Sequence, residues 1–63
     1  MWQIYIKDSA GGFTLFGQAQ TRRESVSLRQ SAGSLCKSRG LTGNNVWAIG
    51  PCGQVKIGIH GYK

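Results

Sequence analysis

A chain of 63 residues has room for one small domain, and eight lysines and arginines against two acidic residues give it a net charge of +6. Its two cysteines exclude a four-cysteine zinc site and allow at most one disulfide bond. No run of about 20 apolar residues and no secretory signal pattern is present, so we expect no membrane-spanning helix and a cytoplasmic protein with free thiols.

The first 19 residues predict a β-hairpin. Residues 2–7 alternate between apolar and polar side chains, and residues 13–19 alternate again, as in two half-buried strands. The segment DSAGG at residues 8–12 is typical of a turn. Uninterrupted alternation places Phe13 and Leu15 on the core side of the sheet and Phe16 on the opposite side.

The middle of the chain predicts one helix from about residue 22 to residue 38. Thr21 and Glu24 have the spacing of a capping box at its start. Gly40 suits the left-handed position that ends a helix, and Leu41 can then fold back on the last turn. Apolar side chains at helical spacing predict the stripe that faces the core, and they are Leu28, Ala32, Leu35 and Cys36.

The last third of the chain predicts a second hairpin. Strands are expected over residues 46–50 and 55–62, and Pro51 and Gly53 have the backbone preferences of the turn between them. Neither hairpin can bury an apolar face alone. We therefore predict a single α+β domain over residues 1–63, with the order β-β-α-β-β and a four-stranded, mostly antiparallel sheet packed on one face by one helix.

The basic residues indicate a polyanionic partner. The predicted nucleic-acid contacts are four cations on the outer side of the helix and two lysines that extend the positive surface across the sheet edge: Arg22, Arg23, Arg29, Lys37, Lys7 and Lys56. A cationic face suits the phosphate backbone of DNA or RNA. An acidic protein surface is the alternative partner, and a merely solvated basic face is the simplest reading.

Four serines form a row along the helix, at positions Ser27, Ser31, Ser34 and Ser38. Small side chains of this kind allow a close helix-to-helix contact, and their hydroxyls can also bond phosphates. Ordinary polar residues at the boundary of the core are the other interpretation.

The second face of the sheet is the third candidate surface. Its predicted aromatic residues either stack on bases or close a homodimer, and they are Tyr5, Phe16, Trp47 and Tyr62. Lys7, Lys56 and His60 are expected among them. Val55 and Ile57 are expected to face the helix instead. Trp47 joins this face only if Val46 and Ala48 point inward, which the pattern leaves open.

No catalytic site, cofactor site or metal site is evident. His60 lacks a second acid or base, so a ribonuclease-type toxin is only a third hypothesis. Together with Cys36 and Cys52 it does not have zinc-site spacing. We predict a non-enzymatic, homodimeric nucleic-acid-binding protein of the kind found among phage and mobile-element regulators. The alternative is a protein-interaction module or inhibitor that binds an acidic protein surface.

Overall fold

In a computed structural model, the chain folds into a four-stranded antiparallel sheet with one helix across one face. The structure describes residues 1–58. In chain order the elements are β1 (Trp2–Lys7), β2 (Phe13–Ala19), α1 (Arg22–Ser38), a 3-10 turn (Gly43–Asn45), β3 (Val46–Ile49) and β4 (Val55–Ile57). The strand order is β2-β1-β3-β4. The predicted α+β arrangement is confirmed, whereas residues 59–62 of the predicted last strand lie outside the described residues.

The turn between β1 and β2 is held by the side chain of Asp8. Its Oδ1 accepts hydrogen bonds from the backbone N–H groups of Ala10, at 2.9 Å, and Gly12, at 2.8 Å. Gly11 has a φ of 88°, which lies in the left-handed region that favours glycine. Local chemistry therefore closes this hairpin where the sequence predicts a turn.

A β-bulge in β2 reverses the side-chain pattern predicted for the first four residues of this strand, 13–16. Tyr5 pairs with Leu15, whereas the preceding Ile4 pairs with Gly17, so Phe16 is one residue in excess. Because an extra residue moves its neighbours to the opposite face, Leu15 lies beside Tyr5 on the face away from the helix. Phe16 packs against the core instead. The predictions that Leu15 faces the helix and that Phe16 lies on the second face were wrong.

The helix α1 begins and ends where the sequence predicts. Thr21 Oγ1 accepts a hydrogen bond from the backbone N–H of Glu24 at 3.1 Å, which caps the first turn. At the other end Gly40 has a φ of 77°, and the N–H of Leu41 donates to the carbonyl of Cys36 at 2.7 Å. This bond and the left-handed glycine together form a Schellman motif.

The helix is rotated about its axis relative to the predicted orientation. Four of the five residues that it buries are small, namely Ser25, Ala32, Gly33 and Cys36, and the fifth is Arg29. Leu28 and Leu35, predicted within the buried stripe, lie at its side and are half-buried. The methyl groups of Leu28 come within 3.5 Å of the position that a Cβ on Gly17 would occupy. Leu28 therefore packs over β2 at Gly17, at a separation where an added methyl group would be in ordinary van der Waals contact.

Arg29 is buried, with 1% of its surface exposed, so its predicted place on the outer face of the helix was wrong. Its Nε donates to the carbonyl oxygen of Gly58 at 2.9 Å, and its Nη2 donates to the same oxygen. The N–H of Gly58 donates in turn to the carbonyl of Val46 at 2.7 Å. Burial lowers the pKa of the Arg29 guanidinium to about 10, which leaves it charged at neutral pH. A charged side chain thus ties the middle of α1 to the end of β4.

The apolar core lies between α1 and the covered face of the sheet. Its buried members are Trp2, Ile4, Ile6, Ala19, Ala32, Cys36, Val46 and Ala48. Because Val46 and Ala48 point inward, Trp47 lies on the opposite face, which is the arrangement of β3 that the sequence left open. In the turn after β3 the N–H of Gly53 donates to the carbonyl of Gly50 at 3.1 Å, and Gly53 has a φ of 82°, as the turn prediction requires.

We expect Arg29→Ala to lower the free energy of unfolding by about 2 to 4 kcal/mol, because it leaves the Gly58 carbonyl without its donors and opens a cavity beneath α1. Urea unfolding followed by far-ultraviolet circular dichroism measures the change. Arg23→Ala is the matched control, since Arg23 is exposed and its loss should change stability by less than about 0.5 kcal/mol. Equal effects of the two substitutions would contradict the buried anchor.

The bulge makes neighbouring residues respond differently to the same substitution. Phe16→Lys should cost about 2 kcal/mol of stability because it places a charge against the core, whereas Leu15→Lys should cost less than about 1 kcal/mol because Leu15 is 48% exposed. Both are compared by urea unfolding at high dilution. A larger loss for Leu15→Lys than for Phe16→Lys would show that β2 alternates without a bulge.

Candidate binding surfaces

The face of the sheet away from α1, called the open face here, is largely apolar from edge to edge. Its central row crosses β2, β1, β3 and β4 in that order through Leu15, Tyr5, Trp47 and Ile57. A second row in the same strand order consists of Gln18, Gln3, Ile49 and Val55. Phe13 and Lys7 pair on β2 and β1 and complete the face.

Most of the large apolar side chains that are exposed within residues 1–58 lie on the open face. Their exposed fractions are between 36% and 53%, and they are Phe13, Leu15, Ile49, Val55 and Ile57. An exposed apolar patch of more than a few hundred Å² marks an interaction surface in a folded protein. Phe13, Val55 and Ile57 were predicted to face the helix, and those predictions were wrong. The bulge moves Phe13, and the pairing of Ile57 with Trp47 fixes the side that β4 presents.

Three aromatic rings and one cation form a cluster on this face. The rings of Phe13 and Trp47 meet edge to face with centroids 5.3 Å apart, and those of Tyr5 and Phe13 meet similarly at 6.4 Å. Lys7 Nζ lies 5.8 Å from the ring centroids of both Phe13 and Trp47, within cation–π range. Tyr5 is thus where the sequence predicts it, Trp47 joins it because Val46 and Ala48 point inward, and Tyr62 lies outside the described residues.

The exposed cations lie at the two ends of α1 and at the adjoining sheet edge. Arg22 and Arg23 are at its start, Lys37 is in its last turn, and Arg39 is its C-terminal cap. At 1.5 Å per residue the 15 steps from Arg22 to Lys37 span about 22 Å. Because Arg29 is buried between them, the predicted continuous cationic face is instead two separate groups.

Lys56 joins the first of these groups. It pairs with the inward-facing Ala48, so it projects toward the helix side of the sheet and not onto the open face, where the sequence predicted it. Arg22 and Lys56 line one groove, together with Trp2, Gln54 and Val55. Lys7, on the open face, is not brought together with them.

The predicted serine row occupies the outward face of α1 between the two cationic groups. All four members are exposed, and they are Ser27, Ser31, Ser34 and Ser38. The hydroxyl of Ser38 donates to the carbonyl of Leu35 at 2.8 Å within the helix. The row therefore presents hydroxyl groups to whatever approaches the helix from outside.

The two cysteines are free and lie in different environments. Cys36 is in the core, where burial raises the pKa of its thiol despite the opposing charge of Arg39. Cys52 is exposed in the turn between β3 and β4.

Within residues 1–58 no three His, Cys, Asp or Glu side chains are grouped so as to hold a metal ion. His60 lies outside the described residues. In the same range, no helix has the length and hydropathy of a membrane span.

Sequence reasoning missed four members of the open face and one exposed cation: Phe13, Leu15, Val55, Ile57 and Arg39. The adjacent apolar pair Leu15-Phe16 interrupts the alternation of β2, and this pair was the available signal of a bulge. For Val55 and Ile57 the alternation was evident, but the choice of face depends on pairing with β3.

Comparisons with protein-family models, curated proteins and solved structures found no match.

In the native protein we expect one thiol per chain to react quickly with a chromogenic thiol reagent and the second only after unfolding. Cys52 is exposed, whereas burial both shields Cys36 and keeps it protonated. Absorbance follows the release of the reporter group with and without urea. Cys52→Ser should abolish the fast reaction, and rapid labelling of both native thiols would contradict the buried position of Cys36.

Proposed function

We propose that this protein is a non-enzymatic nucleic-acid-binding protein that contacts phosphates with the helix side of the molecule. The observation that best supports this proposal is the separation of charge from apolar surface. The exposed cations within residues 1–58 lie at the ends of α1 and on the helix side of β4, and they are Arg22, Arg23, Lys37, Arg39 and Lys56. The open face carries Lys7 alone among the described cations.

The arrangement suits a polyanion better than a single small anion. The two cationic groups are about 22 Å apart along α1, which corresponds to about six steps of 3.4 Å along one strand of a duplex. The serine row lies between them and offers hydroxyl donors, which commonly bond phosphate oxygens. The net charge of +6 adds a long-range attraction to any such polymer.

The proposal includes two further points about the protein in the cell. A cytoplasmic setting agrees with two free cysteines, since disulfide bonds are rare in a reducing compartment. Assembly as a homodimer agrees with the open face, since an apolar surface of this extent needs a cover.

The affinity for nucleic acid should fall steeply with salt. If all five exposed cations contact phosphates, the slope of log affinity against log salt reaches about −4.5 on duplex DNA and about −3.5 on a single strand. Fluorescence anisotropy with labelled duplex DNA, single-stranded DNA and RNA measures both slope and preference. Absence of binding to all three at low salt would overturn the proposal.

A matched pair of charge-removing variants tests the location of the site. Lys37→Gln should weaken binding several-fold and reduce the salt slope by about 1, since it removes one phosphate contact. Lys7→Gln removes the same charge from the open face and should leave the slope unchanged. A greater loss from Lys7→Gln would place the nucleic acid on the open face instead of the helix side.

A further inference from the structure

We propose that the open face packs against the open face of a second copy of this chain, which gives a sheet-on-sheet homodimer. This inference rests on the homodimer included in the proposed function and adds its surface, its geometry and its response to salt. The serine row, the other surface that the sequence offered for assembly, remains outside the interface.

The charge of the open face selects the partner. Lys7 is its one charged residue among those described, and its ammonium group already lies against the rings of Phe13 and Trp47. An acidic protein would lose the hydration of its carboxylates here without gaining cations in return. A phosphate backbone would meet the same lack of partners. A second open face is apolar over most of its area, so the polar groups that would lose hydration are Gln3, Gln18 and Lys7, and the Lys7 ammonium group keeps its ring contacts.

The composition of the face also favours a protein over nucleotide bases. Stacking on bases uses aromatic rings set among cations. On the open face four aliphatic side chains surround the three rings, and they are Leu15, Ile49, Val55 and Ile57. Two of them lie on the edge strand β4 and one on the opposite edge strand β2. The apolar surface therefore extends to both edges of the sheet, as sheet-on-sheet packing requires.

A two-fold axis that runs parallel to the two sheets and between them brings the central row of one copy onto that of the other. Sheets packed this way lie about 10 Å apart with strands about 30° from parallel. Trp47 and Tyr5 come from the two inner strands and lie at the middle of the contact, where Leu15 and Ile57 flank them. Both helices then point away from the interface, so each copy keeps its cationic groups and serine row accessible.

The small size of the face indicates a weak dimer. Four strands at about 4.8 Å spacing and a six-residue β1 at about 3.3 Å per residue give an upper limit of about 19 by 20 Å, because β3 has four residues and β4 has three. With protruding side chains, two copies bury on the order of 1,000 Å² in total, which is at the lower end for specific interfaces. We therefore expect a reversible dimer with a dissociation constant in the micromolar range.

Salt should affect the dimer and nucleic-acid binding in opposite directions. Two chains of charge +6 repel each other, and salt screens that repulsion while it strengthens apolar association. Raising the salt concentration should therefore tighten the dimer and weaken the binding of nucleic acid. A partner held by ionic contacts would leave the interface as salt rises.

Sedimentation equilibrium of the nucleic-acid-free protein tests the inference across a range of concentrations and salt. We expect the mass to rise from 6.8 kDa toward twice that value with concentration, and to do so earlier at high salt. Ile57→Lys should remain monomeric throughout, because it would bury a second charge beside Trp47 in each copy, in addition to that of Lys7. Ser31→Lys adds the same charge on the outside of α1 and should dimerise like the unaltered chain.

Three results would overturn the inference: a monomer at every concentration, an Ile57→Lys variant that still dimerises, or a Ser31→Lys variant that does not. A Ser31→Lys variant that fails to dimerise would indicate that the dimer forms through the serine row. Circular dichroism of each variant confirms that it is folded. Because no nucleic acid is present, failure here leaves the proposed phosphate contacts intact, and failure of nucleic-acid binding leaves the dimer intact.

Discussion

The hydrogen bonds between Arg29 and the Gly58 carbonyl are the interaction on which the arrangement of the molecule depends. A guanidinium group is costly to bury, and Nε and Nη2 of Arg29 offset part of that cost by donating to the Gly58 carbonyl, a contact that the rotation of the helix makes possible. That rotation turns small side chains toward the sheet and moves Leu28 and Leu35 to the side. It also leaves the serine row facing outward, with cations only at the two ends of α1.

The other half of the arrangement comes from the bulge in β2. One extra residue transfers Phe13 and Leu15 to the open face and moves Phe16 into contact with the core. With Trp47 on β3 and Ile57 on β4, they make that face apolar across its full width. The bulge and the buried arginine together separate the apolar open face from the exposed cations on the helix side.

The sequence was most informative where structure depends on neighbours in the chain. The Thr21 cap, the left-handed Gly40 and the turn around Gly53 follow from local backbone and side-chain chemistry, and all three were confirmed. The bulge and the rotation of α1 depend on contacts between distant segments. A one-residue shift in register moves the side chains beyond it to the opposite face of the sheet. A single arginine in a helix does not indicate that its acceptor is the carbonyl of Gly58. The bulge in β2 explains why Phe13, Leu15 and Phe16 lie on faces that the sequence did not predict, and the rotation of α1 explains why Arg29 is buried.

The central claim is that the two faces have different partners, the helix side nucleic acid and the open face a second copy. Backbone amide chemical shifts in a nitrogen-15 NMR spectrum test it most directly, when an oligonucleotide is added at a fixed protein concentration and salt. The account predicts changes along the outer side of α1 and at Lys56, with the amides of Tyr5, Trp47 and Ile57 unaffected. Changes centred on Tyr5 and Trp47, with α1 unaffected, would contradict it.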